Sequence, residues 1–72
     1  MDPRKKCAVS PKRHARDMFL ARGLSQYDLE RMVREGQWIP EGGVHYDVVY
    51  RSWHLKVMLL RCLIRVKTAF ED

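Results

Sequence analysis

The sequence predicts an α+β domain in which two N-terminal helices pack on one face of a three- to four-stranded antiparallel sheet. Apolar residues recur at helical spacing between 11 and 35, then alternate with polar ones between 44 and 70. A chain of 72 residues buries only about 60% of its unfolded surface, so it supports a single core. The domain is therefore 1–72, with 1–6 a basic flexible tail and 7–72 the folded unit.

Cys7-Ala8-Val9 reads as a short strand. Ser10 then offers an N-cap hydroxyl and Pro11 a missing N–H where none is needed, so a first helix is predicted over 11–22. Ala15, Met18, Phe19 and the stem of Arg22 form its buried stripe, and Gly23 is placed to end it. Ser25-Gln26-Tyr27-Asp28 has capping-box spacing, with Leu24 and Leu29 positioned as a hydrophobic staple. A second helix thus runs from 26 to 35, with Leu29, Met32 and Val33 inward and Gly36 at its end. Gln37-Trp38-Ile39 reads as a brief strand stopped by Pro40, followed by a turn at Glu41-Gly42-Gly43.

Strands are predicted at His45–Arg51, His54–Leu60 and Leu63–Phe70, joined by two-residue connections at Ser52-Trp53 and Arg61-Cys62. Parity then sorts the residues. Tyr46, Val48, Tyr50, Leu55, Val57, Leu59, Ile64, Val66, Thr68 and Phe70 face the core. His45, Asp47, Val49, Arg51, His54, Lys56, Met58, Leu60, Leu63, Arg65 and Lys67 face away from it. A helix over 53–66, with His54, Arg61 and Arg65 on its polar side, is the competing assignment. Strands separate polar from apolar residues better.

The formal net charge of +5 favours a polyanionic partner, and the positive residues gather toward both ends of the chain. No apolar stretch of signal-peptide length follows the basic start, and Arg61 and Arg65 interrupt the longest apolar run. A cytoplasmic protein with no membrane contact and with Cys7 and Cys62 reduced is the expectation. Phosphate-loop, dinucleotide and serine-hydrolase motifs are lacking, and the cysteines and histidines lack zinc-ligand spacing, so neither a cofactor nor a metal is expected.

Cations over apolar ground suit RNA: Arg51, Lys56, Arg65 and Lys67 neutralise phosphates while neighbouring apolar residues meet splayed bases. Metal-independent RNA cleavage needs proton transfer and a cation for the pentacovalent phosphate. His54, with Lys56 and Arg65 stabilising charge, is the candidate catalytic set, and His45 is a second proton-transfer candidate. Met58, Leu60 and Leu63 on the same face are also suited to a protein interface.

His14-Ala15-Arg16, Arg22-Gly23-Leu24-Ser25, Asp28-Leu29-Glu30 and the later Gly36 together resemble a small prokaryotic family of unknown function related to RelE-like toxins. Those sequences carry a histidine-alanine pair opening one helix, an Arg-Gly-Ile/Leu-Ser joint, a closing glycine and then three or four strands, a pattern covering about residues 8–70 here. The resemblance implies the barnase, EndoU, colicin and RelE fold group, an RNA-binding protein with endoribonuclease toxin activity, and an antitoxin protein as partner. It carries His14, Arg16, Arg22 and Gly23 over as family positions. Two readings compete with it. One is a non-catalytic nucleic-acid-binding domain that presents Arg31 and Arg34 from a helix-turn-helix; the other is a homodimeric protein-interaction domain.

Overall fold

The computed structural model describes residues 7–72, and the tail expected at 1–6 lies outside the described residues. Elements follow in the order β1 (Ala8–Pro11), α1 (Arg13–Ala21), α2 (Gln26–Glu35), β2 (Gln37–Gly42), β3 (His45–Tyr50), β4 (Trp53–Leu60) and β5 (Leu63–Glu71). The strands form one five-stranded sheet ordered β1-β5-β4-β3-β2. β1 runs parallel to β5, and the remaining pairs are antiparallel.

This overturns the predicted three- to four-stranded antiparallel sheet preceded by two helices. The short strand read at Cys7-Ala8-Val9 is present as Ala8–Pro11, but it joins the sheet in parallel as one of five strands, and the helices form the crossover between it and the antiparallel meander. Ser10 and Pro11 belong to β1, paired in parallel with Arg65 and Val66, and Ser10 Oγ accepts from Arg65 Nη1 at 2.7 Å instead of capping a helix. The Lys12 N–H donates to the Val66 carbonyl at 2.8 Å, carrying the ladder one residue past the proline. α1 therefore begins at Arg13, with Lys12 as an N-cap that makes no side-chain cap bond.

α2 starts as its sequence requires. The Ser25 N–H donates to Asp28 Oδ2 at 2.8 Å, and the Asp28 N–H donates to Ser25 Oγ at 3.3 Å, closing the capping box. The backbone hydrogen bond from Ser25 holds the Asp28 carboxyl below its ordinary range. Gly23, at φ 72°, takes the left-handed conformation that ends α1. Gly36 is needed for space instead, since a Cβ there would lie 2.6 Å from the Met32 carbonyl oxygen and 2.7 Å from Val48 Cγ1. β2 continues through Pro40, which was expected to stop it. Its place at the sheet edge tolerates a residue without an N–H.

The core lies between helices and sheet. Ala15, Phe19, Leu29, Met32 and Val33 from the helices join Val48, Trp53, Leu55, Val57, Ile64, Val66 and Ala69 from the strands. Phe19 meets Trp53 edge to face at 5.3 Å, and Trp38 Nε1 donates to the Val33 carbonyl at 2.9 Å. No helix among the described residues is long and apolar enough to cross a membrane.

Both tight turns sit on arginines. Arg51 (φ 55°) and Arg61 (φ 53°) hold left-handed backbone in the β3–β4 and β4–β5 connections. The first turn is Arg51-Ser52, one residue earlier than Ser52-Trp53, which shifts the pairing register by two, so Tyr50 pairs with Trp53 and β4 begins at the tryptophan. A shift of two preserves parity, and apart from Arg51, which falls in the turn, the faces of β3 and β4 come out as expected. β5 does not keep its expected faces: a bulge between Lys56 and Val57 of β4 leaves Lys67 as the extra residue opposite them. Beyond it Ala69 enters the core, while Thr68 and Phe70, expected there, pair with Lys56 and His54 and face outward.

Cys7 and Cys62 form a disulfide, with Cα atoms 4.6 Å apart, where reduced thiols were expected. The parallel register of Ala8 with Leu63 brings the two cysteines side by side despite their separation of 55 residues. Opening that crosslink is expected to lower stability by about 4 kcal/mol through restored chain entropy. Urea unfolding with and without dithiothreitol tests this, and superimposable curves would show that the crosslink constrains nothing. Arg61→Gly should act in the other direction, relieving about 1 kcal/mol of left-handed strain and raising Tm by about 4–8 °C in a domain of this size. A lower Tm in a thermal scan would refute that account of the turn.

Candidate nucleic-acid interface

The helices cover one face of the sheet, and the opposite face carries the alternate side chains of β3, β4 and β5. β3 contributes His45 and Asp47, and β4 contributes His54 and Lys56, half-buried between buried neighbours, and the half-buried Met58. Asp47 stands opposite Lys56 and diagonal to His54. Its carboxylate is the hub of the face.

Asp47 Oδ2 lies 3.2 Å from His54 Nδ1 and 3.6 Å from Lys56 Nζ. Only 13% of the Asp47 side chain is exposed, and its Oδ1 is buried without a hydrogen-bond partner. A carboxylate only accepts, so the ring proton of His54 sits on Nδ1 and the lone pair on Nε2. Nε2 points outward, 3.9 Å from the carboxylate of the exposed Asp72. Lys56 Nζ also donates to Glu41 Oε2 at 2.7 Å. That hydrogen bond, assisted by the charge of Asp47, holds Lys56 above the usual lysine range against the opposing effect of partial burial.

A second polar pair lies further along the face. Lys67 Nζ is 2.9 Å from His45 Nδ1. An ammonium has no lone pair, so the histidine nitrogen is the acceptor and its ring proton sits on Nε2. Arg65, opposite Met58 on β5, reaches sideways to Ser10 of β1. Phe70 stacks on His54 with ring centroids 5.0 Å apart and planes 5° from parallel.

The predicted residues are thus partly brought together. His54 and Lys56 meet at one carboxylate oxygen, whereas Arg65 lies toward the β1 side, bonded to serine. Lys67 is on the face, displaced by the bulge. Arg51 is not on it: the guanidinium sits 5.3 Å from the Tyr50 ring centroid and lines a cavity of about 420 Å³ with Arg31, Trp53 and Glu71 on the helix side. A left-handed turn residue does not continue the strand's alternation, and for that reason parity misplaced it. The family positions are also on the helix side. His14 and Arg16 are exposed on α1, Arg22 Nη1 donates to Glu71 Oε1 at 2.6 Å, and Gly23 serves the turn.

The expected basicity of the face is correspondingly reduced. Lys56, Arg65 and Lys67 stand against Asp47 and Glu41, while Arg13, Arg16 and Arg34 are exposed on the helices. Arg31, a candidate for duplex reading, is engaged by Glu35 Oε2 at 2.9 Å. Met58, Leu60 and Leu63 make the face apolar toward the β4–β5 turn, where Leu60 is 41% exposed. Sequence reasoning put Asp47 on this face without giving it a role. Hairpin register was the available signal, because a turn at 51–52 sets residue 47 opposite 56. Comparison of the chain with protein-family models, curated proteins and solved structures finds no match.

The Lys56 contacts imply a defined alkaline response. Their stabilisation is complete below the unfolded lysine value of 10.5 and is lost as pH rises through the higher folded value. Replacing Lys56 with glutamine should flatten this part of the stability profile, measured as Tm from about pH 9 to about pH 12. Identical alkaline slopes for parent and variant would contradict the assignment.

Proposed function

We propose that the open sheet face binds RNA and that His54, oriented by Asp47, transfers the proton in cleavage of a bound phosphodiester without a metal. The observation that carries this reading is the meeting of His54 and Lys56 at Asp47 Oδ2. It supplies a base with a defined tautomer beside a cation that stays protonated.

In the proposed step, His54 Nε2 takes the 2′-hydroxyl proton while the 2′-oxygen forms a bond to the adjacent phosphorus. The bond from phosphorus to the 5′-oxygen breaks, and a 2′,3′-cyclic phosphate remains. Water protonates the leaving 5′-oxygen, and the resulting hydroxide takes the proton held by His54. Lys56 stabilises the charge on the pentacovalent phosphate. Arg65 and Lys67, on the neighbouring strand, hold flanking phosphates by charge, a contribution that weakens with salt.

Purified protein incubated with mixed RNA in EDTA should yield cyclic-phosphate ends. His54→Ala should slow cleavage by about 100-fold or more, and the His54→Ala, Lys56→Ala, Arg65→Ala triple variant should be inactive. RNA that is bound by the parent but left intact would reduce the function to binding. RNA that is neither bound nor cut would remove the reading altogether.

A further inference from the structure

The bulge at Lys67 has a chemical consequence. Strict alternation along β5 would bury Phe70 with Ile64 and Val66; one extra residue turns it outward, where it remains 41% exposed. Bulges re-aim side chains and recur beside functional sites. Ala69 takes the place beneath the helices, and the aromatic ring, moved out of the core, gives up part of its burial.

The outward ring is not an isolated apolar residue. One face lies flat against His54, and the two rings form a parallel pair across β4 and β5. The opposite face looks toward the outer edge of β5. There β1 pairs only as far as Val66, and no described strand lies beside Lys67–Glu71. A flat aromatic surface therefore stands next to an unpaired stretch of backbone, with Lys56 on the adjoining strand and Lys67 three residues back along β5.

We infer that the outer face of Phe70 is a stacking site for one nucleobase of a single-stranded chain. This rests on the proposed RNA reading and names the part of the ligand that the face selects. A base in this position extends the His54–Phe70 stack as a third ring, and every base has a π-face to offer. The phosphates adjoining such a base are drawn by charge to Lys56 and Lys67. A duplex has its bases stacked internally and cannot fill this site.

The test uses an oligonucleotide with 2′-O-methyl riboses, which lacks the attacking hydroxyl and so reports binding without cleavage. Phe70→Ala should weaken binding of the single strand by about 5- to 100-fold, Phe70→Leu should be equally weak despite its apolar bulk, and Phe70→Trp should bind as the parent does. Binding of the same strand annealed to its complement should be unchanged by all three, as should circular dichroism of the protein. A deoxyribose strand of the same sequence should show the same dependence on Phe70. Alanine or leucine variants that bind the single strand like the parent would overturn the stacking site. If a Lys56→Glu, Lys67→Glu variant still lost binding in that case, the RNA face would stand without it. A parent that binds no strand would overturn both.

Discussion

Strict alternation along β4 is the constraint on which the rest of the molecule depends. Trp53, Leu55 and Val57 are buried under the helices, while His54, Lys56 and Met58 remain on the other face. Successive residues of a strand point to opposite sides, so one eight-residue segment supplies both the centre of the core and the centre of the polar face. A slip of one residue would exchange them, exposing three large apolar side chains and burying a lysine and a histidine. The helices, the pairing of β3 and the position of Asp47 all follow from that register.

The polar face is held by unequal bonds. Asp47 is largely shielded from water, and a shielded carboxylate is tolerated because His54 and Lys56 both approach one of its oxygens. Glu41 gives Lys56 a second anion from the edge strand. The same contacts that make the aspartate acceptable fix the histidine tautomer and keep the lysine charged. Structural and chemical roles therefore rest on the same atoms, and no substitution at Asp47 alters only one of them.

The sheet limits its own growth at both edges. β1 and β2 each carry a proline, Pro11 and Pro40, which cannot donate to an added strand. The disulfide ties the start of β1 to the β4–β5 turn, where Arg61 holds left-handed backbone. A short parallel edge strand and a strained turn are each weak points, and the crosslink joins them. An added strand is disfavoured at β1 and β2, whereas no described strand covers the open face or the outer side of β5 past Val66.

Much of this organisation was legible in the residues themselves. The Ser25–Asp28 capping box, the glycine that ends α1, the helical stripes and the parity of β3 and β4 are local patterns, decided within a few residues by hydrogen bonding and side-chain direction. The placement of His54 and Lys56 together followed from that parity. Other features depended on pairings far apart in the chain. Ser10-Pro11 resembled a helix start because its partner Arg65 lies 55 residues away. Cys7 reaches Cys62 only through the parallel register of β1 with β5. The bulge at Lys67 reflects the fit of Ala69, rather than Thr68 or Phe70, beneath the helices, a packing choice that no local pattern records. Local propensity determined which segments became helix and strand, whereas long-range packing decided the order of the sheet and which aromatic ring faced outward.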